Sequence, residues 1–393
     1  MKKYWEFIKE HKEHKEGSVE WWCWLLRINN YTHNEDGSID VNGDVDISNQ
    51  SLNEIPIKFN HVSGSFICDK NYLKNLVNAP NTIGGKFSAT VNPLTSLLGG
   101  PKTVEGDYFI GGGVCRLESL EHSPEWIGRD YNITDTNITT LKGCPEKIGR
   151  NFYCSSNDLG TLDGAPKIIK GDFYCNYCEL ETLVGGPEEV SGSFLCKSNK
   201  LRTLDGAPKH IGKSFMCSKN YLENLKGSPE HIGLNFICNN NKLTSLEGSP
   251  HRIGGQFSCS FNRDLSTLLG SPRVVGGAFL CENTNLKTLE HGPERVGEDY
   301  VVNNNSLVGL NGFPYYFNFD KGFFFVANNP VYEVYRLIPI PKAIEFINDY
   351  GLINIEDMEV SYTILEEIWD QLDIGHRSIE TVESKLSFYT LVD

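Results

Sequence analysis

Positive charge is what this chain has least of. Lys and Arg number 36 against 51 Asp and Glu, a formal net charge of −15 over 393 residues. Neutralising phosphates without sequence preference needs a basic face, so this balance argues against a non-specific nucleic-acid binder. Long apolar runs are missing as well. None reaches the roughly 18 residues that read as a membrane-spanning helix, and no membrane partner is expected. The N-terminus lacks the apolar stretch and small-residue cleavage site of a secretion signal. Catalytic signatures are missing too: there is no Gly-x-Ser-x-Gly, no His-Glu-x-x-His and no Walker loop. The reading is a cytoplasmic, non-enzymatic protein with no cofactor and no metal. Hydrophobic residues make up 39% of the chain, low for one thick core, yet with 11% aromatics it is no disordered chain.

What the chain does have is glycine, 38 residues of it, and the glycines recur. Self-comparison gives a period of 21 residues. Units start at Val45, Phe66, Phe87, Tyr108, Tyr131, Phe152, Phe173, Phe194, Phe215, Phe236, Phe257, Phe279 and Tyr300. A degenerate fourteenth unit is placed at Phe323, and insertions of two, one and two residues follow Tyr108, Phe257 and Tyr300. The first and third slots point the same way, because side chains alternate along a strand. The third slot holds Cys68, Cys154, Cys175, Cys196, Cys217, Cys238, Cys259 and Cys281, and elsewhere Ile, Ala or Val. A site accepting all of these is small, buried and apolar, so the cysteines read as free thiols and not as a metal ladder or disulfides. Leu at the eighth and eleventh slots and Ile or Val at the eighteenth fill the core. Gly near the thirteenth and Pro at the fifteenth punctuate the return path.

The sixth slot is Asn at Asn71, Asn92, Asn157, Asn199, Asn220, Asn241, Asn262 and Asn305. A buried Asn stacked turn on turn can satisfy the backbone groups of a bend that no helix or sheet satisfies, so these are read as a structural ladder. No stretch within a unit is long enough for a helix and its turns. Each unit is therefore expected to be a short strand, a bend and an extended or 3₁₀ return, with the strands lining one face. The fold class is mainly β: a parallel β-solenoid of about thirteen 21-residue repeats with α-helical N-terminal and C-terminal caps.

The pattern Phe-x-Cys-x-x-Asn-x-Leu-x-x-Leu resembles the leucine-rich-repeat consensus, with Phe and Cys in two Leu slots. The Leu-x-Gly-x-Pro-x-x-Ile-Gly-Gly extension resembles leucine-rich-repeat-like proteins of large tailed phages of the myovirus kind. So do the hairpin and Leu52-x-x-Ile55-Pro56 near the N-terminus, and Asn329-Pro330-Val331-Tyr332 ahead of an acidic tail. That resemblance implies a phage origin and a fold, and through them a cytoplasmic setting in the host cell. Bacterial effectors with short leucine-rich repeats and a ubiquitin-ligase domain are a second resemblance. The last cysteine here is Cys281, inside the repeats, so the ligase nucleophile has no counterpart.

Three domains follow: residues 1–44, a capping helix and a hairpin around Asp36-Gly37 with a two-residue turn; residues 45–330, the solenoid; and residues 331–393, an acidic cap. The last carries 13 acidic and 4 basic residues, a local net of −9. Helices are expected over Pro341–Tyr350, Met358–Leu372 and Ser378–Leu391. Gly111-Gly112-Gly113 reads as a local bulge, and His210, His231 and His251 as surface histidines.

The second slot lies between Phe and Cys and is expected to face outward. Tyr153, Tyr174, Leu195, Met216 and Ile237 place large apolar groups there in five consecutive units, with polar residues at the fourth slot beside them. An apolar stripe with polar borders is how a protein-binding surface looks. These five are the candidate partner-binding residues. The leading function is a protein-binding module, a phage accessory protein that binds and modulates a host protein in host takeover or counter-defence. A virion or assembly component that homo-oligomerises, and a protein that sequesters a small nucleotide ligand, are the alternatives.

Overall fold

The computed structural model describes residues 14–338, 343, 344, 347 and 351–393. The chain forms two compact units, Met1–Gly192 and Ser193–Asp393. Each is built from the same 21-residue turn, a parallel β-solenoid, with seven turns starting in each.

In the first unit a short helix, Val19–Leu25, begins at Ser18, whose Oγ accepts from Trp21 N at 3.2 Å. Trp22, Leu25 and Leu26 of this segment share a cavity wall with Gln50–Pro56 of the first turn. The hairpin follows, Tyr31–His33 antiparallel to Ile39–Val41. Its connection is five residues long, not two. Asp36 Oδ1 holds it by accepting from Ser38 N at 3.1 Å, and Gly37 takes φ +79°. Lys58 bonds the Asp36 carboxylate at 2.7 Å and holds its pKa below the usual carboxylate range.

Each turn carries two strands. The first occupies slots one and two, and stacks parallel and in register from Val45 to Phe173 in the first unit. The second unit repeats this from Phe194 to Phe324. The expected return contains a second strand, at slots seventeen and eighteen, so β structure lines two faces of the turn and not one. Ile83, Val104 and Ile127 are buried from that side, while Thr82 and Trp126 point out. Glycine permits the stacking. A Cβ on Gly254 would stand 2.0 Å from the carbonyl oxygen of Gly233 in the turn before, a distance no side chain tolerates.

Inside, the first-slot rings form columns, with Phe87 and Tyr108 stacked at 4.9 Å and Phe215 and Phe236 at 5.4 Å. The eight third-slot cysteines are all buried, and none is in a disulfide. Burial pushes the thiols of Cys68 and Cys238 well up. At roughly 1.5–3 kcal/mol per buried Phe or Leu, these columns dominate the stabilisation.

The sixth slot closes the bend. Asn71 Nδ2 donates to the carbonyls of Ile47 and Cys68 at 2.9 and 3.1 Å, one in the preceding turn and one in its own. Its Oδ1 accepts from the N–H groups of Gln50 and Leu52 at 3.0 and 3.1 Å. Asn241 repeats the set with Cys217, Cys238, Asn220 and Leu222. Asn92, Asn157, Asn220, Asn262 and Asn305 each donate across to the preceding turn in the same way. Asn199 donates to Cys196 O at 3.0 Å. Where Asn is replaced, another group stands in: Thr136 Oγ1 lies 3.0 Å from Asn157 Oδ1, and Cys178 Sγ donates to Cys154 O at 3.1 Å.

Three boundaries differ from the sequence reading. The fourteenth turn starts at Phe324, paired with Tyr300, so Phe323 stands outside it, 69% exposed. The insertion is three residues, and Asn329 thereby falls in the sixth slot, bonding Val302 O and Val326 O at 2.9 Å each. After it, the helix expected over Pro341–Tyr350 lies largely outside the described residues. The next helix is Tyr362–Gln371, not 358–372, because Glu359–Ser361 forms a strand and Ser361 Oγ caps Ile364 N. The last is Ile379–Glu383, and Thr390–Val392 returns as a strand beside Glu359–Ser361. Trp369 is buried, its Nε1 donating to Leu337 O at 3.2 Å.

Replacing Asn220 by Ala is expected to cost about 1–3 kcal/mol in denaturant unfolding, since it strands backbone groups at a buried bend. Tyr108 gives the opposite sign. Its hydroxyl is buried with no partner among the described residues, and Tyr108→Phe is expected to add about 1 kcal/mol in the same assay.

Candidate functional site

The five second-slot residues are half-buried, between the core and open solvent. In the first unit Tyr153 and Tyr174 lie in register with rings stacked at 4.5 Å and 14°. Asn151 Nδ2 donates to the Tyr153 hydroxyl at 3.1 Å, and the Tyr174 hydroxyl donates to Asp172 Oδ2 at 3.3 Å. Burial first, and then the Asp172 charge, push the Tyr174 phenol up to about 12. Both phenols therefore stay neutral donors at ordinary pH. In the second unit Leu195, Met216 and Ile237 follow one another in register, and Ser258 continues the row. The arrangement presents a stacked aromatic pair in one unit and an aliphatic row in the other.

The polar fourth slot is not a free border. Asp69 Oδ1 accepts from Thr90 N at 2.7 Å, Asn239 Oδ1 from Ser260 N at 3.0 Å, and Ser155 Oγ from Asn176 N at 3.2 Å. Slot twenty-one does the same work on the other side of the strand. There Asp44, Asn151, Ser193 and Asn235 each accept a backbone N–H from the following turn. Sequence reasoning missed this second set, although its signal was present: Asp, Asn or Ser recurs just before the aromatic first slot.

A cluster of paired charges lies in the turns next to Tyr153. Arg150 Nε and Nη2 grip Asp130 Oδ1 and Oδ2 at 2.6 and 2.7 Å, and Asp107 lies 3.7 Å from the same guanidinium. Paired charges of this kind orient a surface more than they stabilise it. His210 and His231 sit side by side on the second strands at 6.3 Å between ring centres. Among the described residues no group of three His, Cys, Asp or Glu is arranged to hold a metal ion. Gly111, Gly112 and Gly113 all take positive φ, and a Cβ on Gly111 would meet Thr134 O at 2.0 Å. Among the described residues no helix is long and apolar enough to cross a membrane.

No family model matches the chain, and no curated protein does. Among solved structures it is similar to YopM from Yersinia enterocolitica WA-314 at 14% identity. That match covers 84% of this chain and 95% of the other, with a TM-score of 0.35. So distant a likeness carries no argument, and the assignment as a parallel β-solenoid rests on the strand pairing of the turns themselves.

Proposed function

We propose that the protein is a non-enzymatic protein-binding module whose contact residues are Tyr153 and Tyr174 in one unit and Leu195, Met216 and Ile237 in the other. The observation that carries this reading is positional. The core is filled from slots one, three, eight, eleven and eighteen, and the polar side chains at slots four and twenty-one are engaged by backbone groups. Within the strand itself, slot two offers large apolar area that neither task uses. Residues 1–44 and 331–393 act as caps on this scheme. The resemblance of the repeat to phage leucine-rich-repeat-like proteins supports a finer reading: an accessory protein of the host cytoplasm that binds and modulates a host protein, in takeover or counter-defence.

Tyr174→Ser with Met216→Ser is expected to leave the melting temperature nearly unchanged, because the same slot already holds Ser88 and Ser258. Affinity capture from host lysate, read against the unmodified chain, is expected to lose its partner at least about tenfold. Misfolding of the double variant would make the row part of the core. Folding with undiminished capture would move the partner elsewhere.

A second reading has its own observation. At the end of the thirteenth turn Tyr315 is 87% exposed and Tyr316 61%, with Phe323 beside the final strand. Among the described residues Tyr316–Phe317 and Phe324–Phe325 pair on one side only. An aromatic, half-paired end invites self-association, the behaviour of a structural component. Sedimentation is expected to show a concentration-dependent oligomer that Tyr315→Ser with Phe323→Ser dissolves. A monomer at all concentrations would remove this reading.

A further inference from the structure

The second strands of the first unit are interrupted at one place. Lys147–Ile148 pairs with Trp126–Ile127, and Ile168–Ile169 pairs with Glu189–Val190, but no ladder joins Lys147–Ile148 to Ile168–Ile169. The first strands on either side, Tyr131 to Phe152 and Phe152 to Phe173, stay in register. Gly171 N still donates to Arg150 O at 2.8 Å. The two turns thus part on one face only, as a wedge.

The interruption coincides with a shift in the close-approach glycine. A Cβ on Gly149 would stand 1.9 Å from Gly128 O. In the next turn that place belongs to Lys170, and the close contact moves one residue on, to Gly171 over Arg150. A Cβ at this slot does not by itself break the ladder, since Glu105 occupies it where Thr103–Val104 pairs on both sides; the interruption is particular to the Lys147 and Ile168 strands.

A cavity of about 700 Å³ opens along this wedge. Trp126 and Ile168, 40% and 56% exposed, flank it. Lys147, Lys167 and Lys170 line it against a single acid, Glu146. Lys167 also lies 3.7 Å from Glu188 outside it. An excess of positive charge in a concave apolar site stands out in a chain of net −15.

We propose that this wedge binds a planar aromatic anion of nucleotide size, its ring against Trp126 and Ile168 and its phosphate or carboxylate at the three lysine ammonium groups. The volume lies within the range of about 300–1,000 Å³ that small-ligand sites occupy. An aromatic wall binds a ring face without demanding its identity, and lysine acts as a mobile point charge for an oxyanion. An extended peptide is disfavoured. Adding a strand between the two turns needs roughly twice the 4.8 Å spacing, and the Gly171–Arg150 bond holds the turns together.

Calorimetric titration of the full chain with AMP, anilinonaphthalene sulfonate, adenosine and inorganic phosphate tests the site. AMP and the sulfonate are expected to bind at one site, with adenosine at least about tenfold weaker than AMP and phosphate alone silent. Lys167→Gln with Lys170→Gln is expected to abolish the gap between AMP and adenosine, and Trp126→Ala to weaken both. These side chains are exposed, and melting curves check folding; if the double variant unfolds, Lys147→Gln supplies the same readout. Equal affinities for AMP and adenosine, an anion affinity that ignores the lysines, or no binding of either anion at about 1 mM would overturn the proposal. So would an acidic peptide that binds there while both anions fail.

Discussion

One slot, the sixth, filled by an asparagine amide in nine of the fourteen turns, sets the geometry of the repeat. A 21-residue turn has to reverse direction after a strand of two residues, too short for a sheet ladder to satisfy the bend. The sixth-slot asparagine supplies the missing partners, donating to a carbonyl of its own turn and one of the turn before, and accepting from that turn's N–H groups. It therefore fixes both the shape of the bend and the register between turns. The residue before the sixth slot takes the left-handed region in all fourteen turns, whether or not Asn follows it, including Val91 at φ +54° and Phe261 at φ +61°. That conformation costs an ordinary residue roughly 1–2 kcal/mol. It persists with the sixth-slot bonds to the turn before, made by Asn or by a group that replaces it such as Cys178.

Much of this was legible in the sequence, and for a physical reason. A slot that must fit against its own copy above and below admits few residue types, so constraint repeats and becomes visible. The Phe, Cys, Leu and Asn slots show themselves in this way, and with them the fold class. Constraints met by the backbone leave no such trace. The left-handed fifth slot carries Lys70, Ser156 and Asn240 alike, and only Gly112 is a glycine. The second strand is hidden similarly, since its outward residue faces solvent and its inward Ile or Val looks like any core position. The start of the last turn was displaced by one residue because Phe323, Phe324 and Phe325 all suit a first slot. Only the pairing with Tyr300 distinguishes them.

Polar side chains that look like surface decoration are mostly structural here. Slots four, six and twenty-one each pass a hydrogen bond to the neighbouring turn, so their polarity says little about partners. That narrows where function can reside. Within the first strands themselves the slot left over is the second. Its occupants range from Asp46 to Met216, as expected of a position that the fold does not dictate.

The same reasoning applies to the other face. Slot seventeen carries His61, Thr82, Thr103, Trp126, Lys147, Ile168 and Glu189 in the first unit, and His210, His231, Arg252, Val274, Arg295 and Tyr316 in the second. No two-residue strand needs that variety, because the buried partner at slot eighteen, always Ile or Val until Phe317, supplies its packing. Parallel register sets the exposed residues side by side at the strand spacing of about 4.8 Å. Trp126, Lys147 and Ile168 stand in consecutive turns, and Lys170 follows Ile169 where the turn before keeps Gly149 and the turn after has Ser191. The missing step of the ladder between Lys147–Ile148 and Ile168–Ile169 leaves a concave site lined by three lysines, a departure from local regularity of the kind that folded chains retain where the surface binds something.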